Sequence, residues 1–252
     1  MKNNFNLDLN ILPTFDWFNY FLSNEKKLLH ISYEDENTLS HDEVKLIKES
    51  LQIWQLGEGS PGNNLRKMIQ KYAQKNNRHN FIEIMEKFLD DEKRHSQLLL
   101  QFMEFHDIKC KNKMFIDDFF RSLRKIMGLQ CSIIMLVTGE IIALSYYHTL
   151  SKITTSKALP VICKQMLQDE LMHIVLQSDT LYRFTLKNGR IKNILILIFR
   201  NVGMFIAVLI AWGHFKKIFK KGGHNLFSFY GTSQNVLKQS KQIIINWRKK
   251  YH

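Results

Sequence analysis

The sequence predicts an all-α fold in which a four-helix bundle is followed by extra C-terminal helices. Only three prolines and eleven glycines occur in 252 residues, which leaves room for long uninterrupted helices. Apolar residues recur at steps of three and four in four long stretches, the spacing of one buried helix face. The stretches 41–106 and 119–187 are similar enough to indicate a degenerate repeat of one helical hairpin.

We expect three parts along the chain. Residues 1–39 form a lead-in segment with one short helix that packs on the bundle. Residues 40–187 form the four-helix bundle, and residues 188–252 form an apolar helix and a basic amphipathic helix. At this length one large domain, alone or with an appendage, can bury a core of its own.

The first bundle helix has a clear start and an irregular end. Ser40 and Glu43 have the spacing of a capping box, which predicts Ser40 as the N-cap. The helix leads to Glu58, and Pro61 follows closely. Because proline has no N–H to donate, the helix either kinks here or stops and restarts with Ser60 as a new cap. An irregular backbone beside Glu58 would let its carboxylate shift, whereas a simple break between two helices would have no such role.

The other three bundle helices carry polar residues within apolar stripes. The second is expected over about 81–106, the third from about Phe119, and the fourth after a turn over 151–160. Buried carboxylates need a metal or another partner, which makes such positions informative. The three expected stripes are Phe81, Met85, Phe88, Glu92, His95, Leu99 and Phe102, then Ile126, Ile133, Leu136, Glu140, Leu144 and Tyr147, then Cys163, Met166, Glu170, His173, Gln177 and Leu181.

The C-terminal part differs in composition from the bundle. Residues 194–212 are almost wholly apolar, broken only by Arg200 and Asn201, and basic residues flank both ends. Nineteen such residues are just long enough to span a bilayer, but an arginine near the middle is unfavourable there. Packing on the bundle or on a homodimer partner, association with a membrane surface, and a true span all stay open. Residues 225–247 predict one further amphipathic helix with a basic tail.

The chain is strongly basic, with a formal net charge of +13. We expect the excess to be spread along the sequence and densest near the C-terminus, at Lys216-Lys217, Lys220-Lys221 and 248–250. Such a charge permits contact with nucleic acid or an anionic membrane but does not define a fold. Generic surface basicity is the alternative interpretation.

The cysteines indicate a reducing compartment. Cys110, Cys131 and Cys163 are an odd, sparse set with no C-x-x-C pair, which argues against a disulfide framework. Three thiols also exclude a four-cysteine iron–sulfur centre within these residues. The first residues contain no apolar signal segment, so we expect a cytoplasmic protein, with peripheral membrane association as an alternative.

Four glutamates and two histidines form a repeated pattern. Glu92 and His95 are three residues apart on one helix face, as are Glu170 and His173. A further glutamate precedes each pair, Glu58 by 34 residues and Glu140 by 30. In a four-helix bundle, a Glu from each of two helices and a Glu-x-x-His from each of the other two form a di-iron or di-manganese site. We therefore expect these six residues to be metal ligands; two core histidines beside unrelated glutamates are the alternative.

Asp91 and Asp169 directly precede the two Glu-x-x-His pairs. Metal-bound histidines usually donate their free ring N–H to a carboxylate. The pseudo-symmetry of the bundle predicts pairing of Asp91 with His173 and of Asp169 with His95, unless either aspartate is a solvated neighbour. Tyr146 and Tyr147, two turns beyond Glu140, either reach the site as a redox-active or proton-donating phenol or fill the core. His30, His79, His106, His148 and His224 lack ligand spacing and receive no role.

The six-residue pattern over 41–187 resembles the ferritin-like di-iron carboxylate superfamily. The form Asp-Glu-x-Arg-His at 91–95 is similar to that of bacterial di-iron monooxygenases, although Met172 replaces the arginine in the second copy. The resemblance implies that Glu92 and Glu170 bridge two metal ions. The remaining four residues would then be terminal ligands: Glu58, His95, Glu140 and His173. The 188–252 extension and the break at Pro61 are not part of the resemblance.

The pattern favours a di-iron oxidoreductase that activates O₂ to hydroxylate or oxidise an organic substrate. Carboxylate and imidazole ligands suit two iron ions, with manganese as the alternative, and open coordination positions admit O₂ or peroxide. Electrons would come from a separate reductase or ferredoxin, and the substrate would be a small or lipid-soluble molecule. No catalytic residue beyond the metal ligands is assigned.

Three other functions use the same residues. A ferroxidase or iron-storage protein has the same ligands, but storage shells usually have an acidic interior, unlike this basic chain. A manganese catalase-like enzyme would dismutate peroxide. A membrane- or RNA-binding module with a structural metal would need no redox chemistry and would bind its partner in a salt-sensitive manner.

Overall fold

The residues that the structure of the protein, a computed structural model, describes form helices joined by loops, with no strands among them. These are residues 5–26, 29–111 and 115–251, with side chains described for all of them except 115–127. The expected all-α class is therefore confirmed, and the architecture is compatible with a helical bundle carrying extra helices. The helices are α1 Trp17–Glu25, α2 His41–Glu58, α3 Asn63–Asn76, α4 His79–Phe105, α5 Phe115–Ile153, α6 Ala158–Thr185, α7 Arg190–Lys221 and α8 Leu226–Tyr251.

The chain divides into two compact units. Unit 1 contains Met1–Phe15, Ile133–Ile153 and Leu167–His252, and unit 2 contains Asp16–Ser132 and Thr154–Met166. Both α5 and α6 therefore contribute one segment to each unit. The predicted division at residues 40 and 188 follows the sequence order of the helices and stays a prediction.

In unit 2, α4 is the central helix, because α1, α2 and α3 all pack against it. Its apolar stripe is buried as expected, from Phe81 and Met85 to Leu99 and Phe102. The expected single helix of the lead-in segment is α1, whose N-cap Asp16 accepts a hydrogen bond from the backbone N–H of Asn19 at 3.0 Å. The side chain of Ile126 lies outside the described residues.

The irregularity after α2 is a stop and a restart. Helix α2 ends at Glu58, and Gly59 is its C-cap. Helix α3 begins after Gly62, which has a φ of 62° in the left-handed region that favours glycine. The expectation that Ser60 would cap the second helix is therefore wrong, because a left-handed glycine directs the chain into α3 instead.

The N-terminus of α2 is anchored to the segment between α5 and α6. Ser40 is the N-cap, as predicted, and accepts a hydrogen bond from the N–H of Glu43 at 3.2 Å. The Glu43 carboxylate does not complete a capping box. It accepts hydrogen bonds from the Thr154 hydroxyl and the Thr155 hydroxyl, at 2.6 Å each, and from the Thr155 N–H at 2.9 Å. A long-range contact has thus replaced the local one.

In unit 1, α7 packs against α8. The aromatic rings of Phe219 and Phe229 stack between the two helices at 4.3 Å. The indole of Trp247 donates to the carbonyl of Ile11 at 3.0 Å, which ties the N-terminal segment to α8. Helix α8 confirms the amphipathic helix expected over 225–247, and its buried face includes Val236, Leu237 and Ile243.

Candidate metal centre

Unit 2 contains the first predicted set of ligands, Glu58, Glu92 and His95. Each residue offers one ligand atom, and these atoms lie within 4.8 Å of one another. His95 is fully buried, Glu58 is 7% exposed, and Glu92 is intermediate. Helix α2 supplies Glu58 and α4 supplies the other two from one face, so the packing of α2 on α4 forms this half-site.

The end of α2 is held in place by a residue next to His95. The Ser96 hydroxyl donates to the Gln55 carbonyl at 2.8 Å and accepts from the Gln55 side-chain amide at 3.1 Å. Gly59 allows this close approach, because a Cβ at that position would lie 2.6 Å from the Ser96 hydroxyl oxygen. The half-site therefore depends on a glycine and a serine that the spacing of the ligands does not reveal.

Glu58 is the last residue of α2, which is an unusual place for a buried carboxylate. The C-terminal end of a helix carries a partial negative charge, so the helix dipole disfavours another negative group there. A cation bound by Glu58 would offset this repulsion. The position of Glu58 thus fits a metal ligand better than an incidental core residue.

Unit 1 contains the second predicted set, Glu140, Glu170 and His173, whose ligand atoms also lie within 4.8 Å of one another. Glu170 and His173 are both fully buried, and Glu140 is 5% exposed. One turn of α6 brings His173 Nδ1 to 3.3 Å from the Glu170 carboxylate. The acidic and histidine residues therefore form clusters that could hold a metal ion.

Gln177 is a residue of this half-site for which the sequence predicted no role beyond its place on the buried face of α6. Its amide Nε2 donates to the Glu140 carboxylate at 2.9 Å, and its side chain is fully buried. Such a donor orients a carboxylate that can also bind a metal. A signal was present in the spacing, because Gln177 lies one helical turn after His173.

The two aspartates are both buried, at 2% exposure. Asp91 forms an ion pair with Arg94 of the same helix at 2.8 Å, a contact that the sequence analysis did not anticipate. The expected pairings of Asp91 with His173 and of Asp169 with His95 stay predictions.

Tyr146 and Tyr147 are fully buried. The ring of Tyr146 packs against Phe215 of α7 at 5.5 Å, which is a core contact. Cys163 is also fully buried, and burial raises the pKa of its thiol. A thiol of raised pKa is a weak nucleophile and metal ligand, so Cys163 packs as a small apolar residue.

The donor sets fit iron or manganese on chemical grounds. Each half-site offers two carboxylates and one imidazole, a mixture of oxygen and nitrogen ligands that suits these ions. Among the described residues, no cysteine belongs to either cluster, and thiolates would favour zinc or copper(I). Comparison with known protein families, curated proteins and solved structures finds no match to this chain.

Proposed function

We propose that the two half-sites together bind two iron ions and that the protein is a di-iron oxidoreductase. It would activate O₂ to hydroxylate or oxidise an organic substrate, with electrons from a separate donor. The observation that carries the proposal is the repetition of one buried donor set, two carboxylates and one imidazole, in both units. This is the ligand set of ferritin-like di-iron proteins, in which a Glu and a Glu-x-x-His come from each half of a bundle.

Each half-site would contribute two carboxylates and one imidazole to the binding of the ions. Glu92 and Glu170, from the Glu-x-x-His pairs, would hold the ions together with Glu58, His95, Glu140 and His173. Two bound cations would also neutralise carboxylates that are unfavourable to bury alone.

Iron in this centre would supply the electrons that reduce O₂. The protein's own contribution is to orient the ligands and to exclude water. Gln177 holds Glu140 through its hydrogen bond, and Ser96 holds the end of α2 that carries Glu58. Buried apolar residues on the ligand-bearing helices, including Leu99, Phe102, Ile141 and Ile174, would restrict water and protect reactive species.

The first test is metal analysis of the full chain after anaerobic loading with ferrous iron, followed by exposure to O₂. We expect two irons per chain and oxygen consumption that depends on a reductant. Peroxide dismutation with manganese would instead indicate the catalase-like function, and loading far above two irons would indicate storage.

The variant Glu92→Ala tests the ligand assignment. We expect it to lose bound iron and reductant-dependent oxygen consumption, because a proposed ligand is gone. The matched control is Glu83→Ala, which removes an exposed glutamate from the same helix and should keep full metal content. Circular dichroism confirms that both variants fold. Unchanged iron content in Glu92→Ala would contradict the proposal.

A further inference from the structure

Helix α7 presents an apolar stripe on the described surface of unit 1. Eight residues at steps of three and four along the helix are between 43% and 76% exposed. Over this length the stripe extends for about 27 Å. We define the α7 stripe by these residues: Ile191, Ile194, Leu195, Ile198, Val202, Phe205, Ile206 and Leu209.

Of the two polar residues in the middle of α7, Arg200 lies away from this stripe, and Asn201 is half-buried. Arg200 is 4% exposed, and its guanidinium donates to the Ser240 hydroxyl of α8 at 2.8 Å. The amide of Asn201 donates to the Leu197 carbonyl at 2.8 Å and its oxygen accepts from Lys241 at 2.9 Å. The objection that Arg200 raises against membrane contact therefore applies to the buried side of α7, and the polar groups of the half-buried Asn201 are already paired within the protein.

A chain of hydrogen bonds fixes this orientation of α7. Ser240 and Ser178 are 2.6 Å apart, and the Ser178 hydroxyl donates to the Ile174 carbonyl at 2.7 Å. Because the one hydroxyl hydrogen of Ser178 goes to Ile174, Ser240 is the donor to Ser178. The hydrogen bonds therefore lead from Arg200 through Ser240 and Ser178 to Ile174. The network links α7, α8 and α6, and it holds the charged group inside while the stripe faces outward.

The net charge of the protein lies entirely in this C-terminal region. All 23 Asp and Glu residues occur at or before residue 179, whereas 13 of the 36 Lys and Arg residues occur after residue 186. The segment 1–186 is therefore neutral overall, and the segment 187–252 carries the whole +13. The expectation of a basic excess spread along the chain is wrong.

Basic residues border the α7 stripe at both ends. Arg190 and Lys192 are exposed on either side of Ile191, its first residue, and Lys216 and Lys220 continue the same helix face after it, beside Lys217 and Lys221. A helix with an exposed apolar face and basic flanks is typical of proteins that lie in the interface of an anionic bilayer. By length and composition, two described helices could cross a membrane, 128–153 and α7. The most apolar window of 128–153 is 72% buried inside the protein, whereas that of α7 is only 22% buried.

We propose that the α7 stripe binds the surface of a membrane that contains anionic lipids. Charge complementarity identifies the partner that binds to the α7 stripe. Two copies of the chain joined through the stripe, parallel or antiparallel, would place basic ends against basic ends. Nucleic acid would match the charge but would leave the apolar residues in water. An anionic bilayer satisfies both features, and one-sided exposure of α7 places the stripe in the interfacial plane.

The test is sedimentation of the full chain with vesicles of phosphatidylcholine, alone or mixed with phosphatidylglycerol. We expect binding to the mixed vesicles that weakens with added salt. The triple variant Ile198→Ser/Val202→Ser/Phe205→Ser should weaken binding at least about tenfold, because it removes the centre of the stripe. Its control carries the same changes at exposed apolar residues elsewhere: Leu12→Ser/Val161→Ser/Ile245→Ser.

The basic flank is tested by a second matched pair of variants. Replacement of Lys216, Lys217, Lys220 and Lys221 by Gln should reduce binding about tenfold or more. The same four-charge change at exposed lysines of α2 and α3 should have little effect: Lys45, Lys48, Lys71 and Lys75.

Insertion of the stripe can be measured without disrupting it. In Phe205→Trp, the new indole should be quenched by vesicles with brominated acyl chains more strongly than the tryptophans of the unmodified protein. Absence of vesicle binding, equal binding by the triple serine variant, or no added quenching would overturn the proposal. A dimer that dissociates in the triple serine variant, with no vesicle binding by the unmodified protein, would identify a second copy as the occupant.

Discussion

A single polar residue lies beside each set of candidate ligands, Ser96 in unit 2 and Gln177 in unit 1. Gln177 donates to Glu140 across 37 residues of sequence, and its amide oxygen has no hydrogen-bond partner among the described residues. A buried amide oxygen without a hydrogen-bond partner costs free energy, and such groups in native structures call for an explanation such as a functional role. We interpret Gln177 as a residue that positions Glu140 for metal binding.

Replacement of Gln177 by Leu tests this role. The change conserves the side-chain volume but removes the donor to Glu140, so we expect metal affinity to fall about 10- to 100-fold while the protein stays folded. Competition with a metal chelator measures the affinity. The control is Gln168→Leu, at an exposed position of the same helix, which should keep the affinity of the unmodified protein. Equal affinities of the two variants would rule out a positioning role.

At the scale of helices, two glycines with different surroundings lie at the end of α2. Gly57 lies within the last turn, and a Cβ there would contact nothing within 4 Å. Gly59 is the C-cap, and a Cβ there would displace the Ser96 hydroxyl from Gln55. We therefore expect an alanine substitution to have opposite effects on the free energy of unfolding at the two positions.

We expect Gly57→Ala to raise the free energy of unfolding by about 0.5–1 kcal/mol, because alanine loses less chain entropy in a helix. Gly59→Ala should lower it by about 1 kcal/mol or more, because the Ser96 hydrogen bonds are lost. Denaturant unfolding measures both changes.

A double-mutant cycle identifies Ser96 as the cause. In the Ser96→Ala background the clash with the hydroxyl is absent, so Gly59→Ala should be at least about 0.5 kcal/mol less harmful than in the unmodified protein. Strictly additive effects would show that the close approach of α4 to Gly59 does not limit the end of α2.

At the scale of the whole molecule, buried histidines make stability depend on pH. Burial is the main cause that lowers the pKa of His106, His148 and His224 below the ordinary value of 6.5. Around His106 the carboxylates of Glu36, Glu43 and Asp107 oppose this effect, and the Glu36 oxygen is 3.8 Å from the ring. Since desolvation is the largest effect, these three histidines bind protons more weakly in the folded protein than in the unfolded chain.

We expect the metal-free protein to lose stability as the pH falls below about 6.5. In that range the unfolded histidines take up protons more readily than the folded ones, whose pKa is lowered by burial, and this favours unfolding. Urea unfolding at pH 7.5 and 5.5, chosen to lie about one unit either side of 6.5, measures the difference. The variant His106→Gln should lose less stability between these two values than the unmodified protein. An equal or larger loss in the variant would contradict the assignment to His106.

The sequence by itself determined the helical class, the six candidate ligands and the N-cap at Ser40. These features are local: three residues on a helix place Glu92 beside His95 whatever else surrounds them. Helix starts and apolar stripes follow from the same short-range geometry. The stop at Glu58 was also partly foreseen, since Pro61 cannot continue a helix, although the cap residue was misplaced.

Only the tertiary structure decided the contacts between residues that are distant in the chain. Glu43 binds Thr155 across 112 residues, and Gln177 binds Glu140, because helix packing brings these groups together. The same packing turns Arg200 toward Ser240 and leaves the α7 stripe exposed. Periodicity gives the faces of a helix, but which face meets a neighbour depends on the free energy of burying that face, and this is a property of the assembled fold.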